Sequence, residues 1–189
     1  MKIITNVLLT SFICISLSFS VFAGYTRGLS KRLVLSEKGV GPITKSTPFD
    51  VEKIQKLLPS YSVEKDAMMS EGESYPIIRV LKGKQEILVI TPEADFKRIM
   101  SVMIKADKLR SPFKGKIGAS YQSVYKGTKA FRCYPGVEEM SGTVSCAAPS
   151  FQNIRYFFAG EWNGPDGKIP PLNVLKDWKI KFIVWTPLM

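Results

Sequence analysis

Cys133 and Cys146 bracket the stretch RCYPGVEEMSGTVSC, and two thiols this close in a chain can do three kinds of chemistry. They can cycle electrons, hold a metal or close a covalent loop. Cycling electrons favours the C-x-x-C spacing, and here twelve residues intervene. Holding a metal needs two further soft ligands, yet the 189 residues include no histidine and only three cysteines. The flanks FRCY and TVSC are β-prone, and GVEEMSG between them ends in a turn signal. The pattern predicts a structural disulfide between Cys133 and Cys146 across a hairpin.

The missing histidine also removes Ser-His-Asp and Cys-His catalysis, zinc-protease motifs and most imidazole metal sites. No cofactor or metal is expected. Ser-x-x-Lys occurs at Ser62–Lys65, Ser111–Lys114 and Ser123–Lys126, but without the companion motifs of penicillin-binding enzymes it is background. Paired carboxylates could cleave a glycosidic bond, and Glu138, Glu139, Glu161 and Asp166 are the residues to weigh. Glu138 and Glu139 fall at the hairpin tip, and Asp166 between Pro165 and Gly167 is ordinary turn sequence. Gly39-Val40-Gly41-Pro42 lacks the third glycine and the lysine of a phosphate loop, and Pro42 removes an amide, so it reads as a turn. Aromatic residues are the remaining lead: Tyr156, Phe157, Phe158, Trp162, Trp178 and Trp185, with Phe151 before them. Alternation along a strand forces at least one of Tyr156, Phe157 and Phe158 off a one-sided core. That side chain either meets a second layer, the commoner outcome, or joins a binding surface near Arg155.

The first residues set the compartment. MKIITNVLLTSFICISLSFSVFAG has Lys2, an uncharged run from Ile3 to Phe22, and small residues Val21 and Ala23 before Gly24. This is the anatomy of a signal peptide over residues 1–23, cleaved between Ala23 and Gly24. The alternative is a membrane anchor, against which stand Thr5, Asn6, Thr10 and four serines in the run. Ile13 before Cys14 departs from a lipoprotein cleavage motif. After cleavage two cysteines remain, an even number in a compartment that oxidises thiols. The net charge of +11 falls to +10 without Lys2, and the basic residues are scattered rather than blocked. An exported basic protein meets an envelope protein or an anionic envelope surface before it meets nucleic acid. The expected location is periplasmic or secreted, with no transmembrane segment after leader removal.

Such a site needs elements to hold it. Residues 24–36 read as a lead and a first strand, KRLVLS, followed by the GVGPI loop. TPFDVEKIQKLLP reads as a helix capped by Thr47, with Pro48 in its first turn and Asp50 on its dipole. Val51, Ile54, Leu57 and Leu58 form its apolar stripe. YSVEK, YPIIRVLKG and KQEILVIT read as strands. TPEADFKRIMSVMIKAD fits a helix and a strand equally well. Ser120 caps a second short helix stopped by Gly127, and FRCYP, GTVSCAA, NIRYFFAGEW and DWKIKFIVW complete a strand-rich second half. The fold class is α+β: an antiparallel sheet with two short helices, forming a single domain over 37–189. A tandem β-loop-α-β-β-β duplication, over 31–96 and 97–189, is a further reading and favours strand for the ambiguous stretch.

At these residues a resemblance emerges. GVGPI, a capped helix ending LLPSY, then SPF, KIGASYQSVY, the paired-cysteine hairpin and a C-terminal aromatic strand resemble the YfeY-like family of uncharacterised bacterial envelope proteins. The similarity covers about residues 37 to 186 and rests on glycine-rich loops of low specificity. It implies a Gram-negative envelope location, a link to envelope stress and a duplicated α+β fold; it implies no catalytic residues. Many members carry a lipid anchor, which Ile13 here argues against. The function expected is that of a non-enzymatic envelope protein binding a ligand or partner. The alternative is a cell-wall hydrolase or transferase using carboxylates or a Ser-Lys pair.

Overall fold

The structure is a computed structural model and describes residues 33–107, 109, 115–126, 132–149 and 151–188. The expected leader with its Ala23–Gly24 junction, the Ser111–Lys114 pair and Gly127 lie outside the described residues.

The chain first folds a small three-stranded sheet, β1 (Leu35–Ser36), β2 (Gly39–Val40) and β3 (Ile43–Thr44). GVGPI is therefore more than a loop: it makes two strands around a tip where Gly41 has φ 59°. Gly39 is required for a different reason, because a Cβ there would lie 2.0 Å from the Ile43 carbonyl oxygen.

Helix α1 (Val51–Leu57) is capped by Asp50, whose carboxylate accepts from the Lys53 amide at 2.9 Å. This corrects the expected Thr47 cap. The Thr47 hydroxyl is committed elsewhere, accepting from the Thr44 amide at 3.0 Å, and Pro48 bridges Arg98. Ile54 and Leu58 face inward while Leu57 is exposed, so the apolar stripe is narrower than expected.

Eight strands build the main sheet: β4 (Ser62–Ser70), β5 (Glu73–Lys82), β6 (Gln85–Pro92), β7 (Ile99–Ile104), β8 (Cys133–Pro135), β9 (Thr143–Ala147), β10 (Ile154–Ala159) and β11 (Lys179–Trp185). Their order is β4-β5-β6-β7-β11-β10-β9-β8, with every neighbouring pair antiparallel. The ambiguous stretch is strand β7, held between β6 and β11, with Ile99, Val102 and Ile104 buried. Glu71 and Gly72, both at positive φ, close a two-residue hairpin between β4 and β5.

Helix α2 (Tyr121–Tyr125) is capped by Ser120 as expected, its hydroxyl accepting from the Ser123 amide at 3.2 Å. A third helix, α3 (Leu172–Leu175), follows Pro171 and corrects the count of two; the fixed proline φ of −60° starts a turn that periodicity is too short to reveal. The fold is α+β and mostly antiparallel sheet.

All three helices and the small sheet pack on one face of the main sheet. Leu35, Ile43, Ile54, Tyr121, Val124 and Leu175 join Ile78, Leu88, Val102, Phe158 and Trp185 in one core. Fully burying each such side chain stabilises by about 1.5–3 kcal/mol. Cys133 and Cys146 stand directly opposite on β8 and β9, their Cα atoms 4.1 Å apart, and are disulfide-bonded. A flat sheet of eight strands would separate its edges by roughly 34 Å. Instead Ser70, at the β4–β5 tip, donates to Glu139 beyond β8 at 3.3 Å. The sheet is curled.

Candidate functional site on the open face of the sheet

Strand β10 sends Tyr156 and Phe158 into the core, both fully buried, and Arg155 and Phe157 to the opposite face. There Phe157 stacks on Phe182 of β11, ring centroids 4.4 Å apart and planes 20° from parallel. Phe157 is thus the side chain that leaves the core; it shares the opposite face with Arg155 and packs on the buried Phe182, not on a helix. Register extends the pattern: Arg79, Val89, Met103, Val184 and Arg155 form one row across β5, β6, β7, β11 and β10. Ile77, Val89 and Phe182 are buried yet stand apart from the main core. The tips of the two end hairpins meet through Ser70 and Glu139, so the curl accounts for this burial.

Charged groups stand at both ends of that apolar floor. At one end Arg79 pairs with Asp66 at 2.7 Å and with Glu86 at 3.3 Å, and Lys105 pairs with the same Glu86. These partly exposed pairs are internally neutralised and contribute little to stability. At the other end Arg155 donates through Nε and Nη2 to the Ser145 hydroxyl, and through Nη2 to the Ser145 and Arg132 carbonyls at 2.8 and 3.1 Å. Its guanidinium also lies 5.1 Å from the Tyr134 ring centroid. Burial pushes its pKa down. Among the described residues Arg155 has no carboxylate partner. This end is a fixed cation beside an aromatic floor, which can hold an anionic group by charge and its apolar part by contact.

On the core side of β8 a cleft of about 610 Å³ runs between Cys133, Tyr134 and the Ile169–Leu172 segment, with Tyr121 and Leu175 in its walls. It is largely apolar and has no acid–base pair among these residues.

The other residues weighed from sequence are not brought together. Ser62 and Lys65, three apart on β4, project to opposite faces. The Ser123 hydroxyl donates to the Ser120 carbonyl at 2.7 Å, and Lys126 holds a left-handed helix end. Glu138 and Glu139 lie in a 3-10 turn, Glu138 at φ 52°, and Asp166 accepts from the Ser141 hydroxyl at 2.7 Å, stitching two loops. Glu161 is exposed beside Trp162. Among the described residues no cluster of three or more His, Cys, Asp or Glu could hold a metal ion. Also among them, no helix is long and apolar enough to cross a membrane. Sequence reading missed Phe182 and Tyr134, although the alternation of KIKFIVW places Phe182 and Val184 opposite Ile183 and Trp185.

This combination defines a disulfide-stapled, curled antiparallel α+β protein with one face given to helices and the other left to side chains. The chain belongs to the family described as "Protein of unknown function (DUF1131)", whose model matches residues 16–187. It is 31% identical over 153 residues to the uncharacterized protein YfeY of Escherichia coli (strain K12), covering 80% of this chain and 78% of that protein. The crystal structure of the uncharacterized protein yfeY from Escherichia coli matches with a TM-score of 0.69 at 30% identity, covering 81% of this chain and 99% of that one. The resemblance read from the glycine-rich loops and paired cysteines holds.

Proposed function

We propose that the protein is an exported, non-catalytic binding protein of the bacterial envelope that engages an anionic partner through the open face of its sheet. The observation that carries this reading is the Phe157–Phe182 stack beside Arg155, a half-buried cation with no described carboxylate partner. Anchors of aromatic and arginine type concentrate binding energy when they lie in a desolvated surface. The leader composition supports export, with Gly24 as the mature N-terminus, and the cystine supports an oxidising compartment. The test is capture from envelope extracts by wild-type protein and by Arg155→Ala and Phe157→Ala. A partner retained by wild type and released by both substitutions supports the reading; identical capture by all three proteins refutes it.

The same reading takes the main sheet as two copies of a helix followed by a four-stranded meander. In its support, α1 precedes β4 to β7 and α2 precedes β8 to β11, and the two last strands pair at the centre. Ahead of each helix one residue bridges to the last strand of its unit: Pro48 to Arg98 just before β7, and Ser120 to Lys179 at the start of β11. On this reading the copies divide between β7 and α2, not at residues 96 and 97.

A further inference from the structure

β4 is the longer of the two end strands, nine residues against three in β8, and no described strand pairs with its outer edge. Its amides at Val63 and Ala67 both point away from β5: the first is met by the Gln55 side chain of α1 at 3.1 Å, the second by the Asp66 carboxylate at 2.8 Å. Period-two geometry places the Lys65 and Met69 amides on that same outer side, where no described residue meets them. The strand has no proline, and Lys65, Ala67 and Met69 are exposed, Met69 by 62%. An edge of this kind is a template for another strand unless charge forbids it.

We propose that β4 pairs antiparallel with β4 of a second copy of this chain, about a two-fold axis at Met68, joining two sheets into one. Charge selects the register. Outward-pointing residues must face outward-pointing residues, which leaves few two-fold alignments. An axis at Lys65 sets Lys65 against itself and Glu64 against Asp66. An axis at Asp66 sets that carboxylate against itself, and an axis at Ala67 pairs Lys65 only with Met69. The axis at Met68 puts Ala67 opposite Met69 and Met68 opposite Met68, and brings Lys65 beside Glu71 in the β4–β5 turn of the second copy. Each ion pair occurs twice, and the exposed Met69 gains apolar cover. A two-fold pairing of this kind closes on itself and does not grow into a fibre. Asp66 adds control, since its grip on the Ala67 amide must be released before the central ladder forms.

Sedimentation velocity on the full chain, from micromolar to millimolar concentration, reads this directly. Wild type forms a concentration-dependent dimer. Lys65→Glu and Glu71→Lys each set like charges opposite twice and weaken the dimer by about tenfold or more. The double substitution Lys65→Glu/Glu71→Lys restores it, an outcome that simple loss of folding cannot mimic. An unchanged thermal midpoint in all variants checks that the β4–β5 hairpin is intact. A protein that stays monomeric throughout, a dimer indifferent to the single reversals, or a double variant no better than either single one overturns the proposal.

Discussion

The indole Nε1 of Trp185 donates to the main-chain carbonyl of Glu37 at 2.9 Å, fastening the end of β11 to the turn between β1 and β2. That carbonyl has a second donor. The Asn153 side-chain amide reaches it at 2.8 Å and also reaches the Thr186 carbonyl at 3.0 Å. Both lone pairs of one oxygen therefore hold the small sheet against the large one. Asn153→Ala strands the Thr186 carbonyl and half of the Glu37 carbonyl, and should cost about 1–3 kcal/mol in denaturant titration. Adding Trp185→Phe should cost more than the two single losses summed, because only then is the Glu37 oxygen left without a donor. Strict additivity would show that the shared acceptor does not couple them.

Breaking the Cys133–Cys146 bond should lower stability by about 3 kcal/mol, the chain-entropy value for a loop of this order. Cys133→Ala and Cys146→Ala should lose similar amounts, with Cys146 slightly worse because its side chain is wholly buried. Protein lacking residues 1–23, isolated from an oxidising compartment, should contain no free thiol. Two titratable thiols in such protein would refute the staple.

Gly115 presses against Tyr156, and a Cβ at Gly115 would fall 2.2 Å from the ring. Tyr156 is fully buried and cannot swing away. Gly115→Ala should therefore destabilise by about 1–3 kcal/mol, the usual cost of overpacking. Pairing it with Tyr156→Leu, which gives up ring volume, should recover part of the loss in thermal melts. No recovery would place the strain elsewhere.

Burial pushes the Tyr156 phenol up to about 12, and the Tyr125 phenol, which donates to the Ala147 carbonyl at 2.7 Å, also moves up. In the unfolded chain both ionise near 10. Between pH 10 and 12 the unfolded state releases protons that the folded state retains, so stability present below pH 10 is lost as pH rises through this window. Tyr156→Phe should flatten that decline relative to wild type, measured as unfolding free energy at each pH. An equal slope in both proteins would remove Tyr156 from the cause.

How much of this was legible in sequence depends on where burial writes a pattern. Strands β5, β6, β10 and β11 alternate between a core and a second face, and their apolar spacing announces them. The outer half of β4, where no residue is buried on either face, carries no such pattern, and MMSEGES passes unread. β7 fits both periods because Met100 and Ile104 satisfy a helical face and a strand face alike; only its neighbours β6 and β11 decide it. Thr47 and Asp50 are both good caps, and the choice fell to Asp50 because a tertiary bridge at Pro48 holds the preceding chain extended. The cystine was readable because spacing and the lack of histidine left one chemistry standing. Phe157 was flagged by its own neighbours, but Phe182 and Tyr134 join it through cross-strand register. Register is a property of pairs and is absent from any single segment.

The sheet order has a consequence for how the molecule is made. β11 follows every other described strand in sequence yet lies between β7 and β10, at the seam of the two meanders. Until residues 179–185 emerge from the ribosome or a translocation channel, β7 and β10 each keep a bare edge. The two halves have no ladder between them. Early hairpins can form and dissolve, but the central pairing waits for residues 179–185, so the slow step is long-range closure. Such a chain stays threadable for most of its length and then commits late. A product truncated before Lys179 would carry two unpaired edges at once and should aggregate, not simply lose stability.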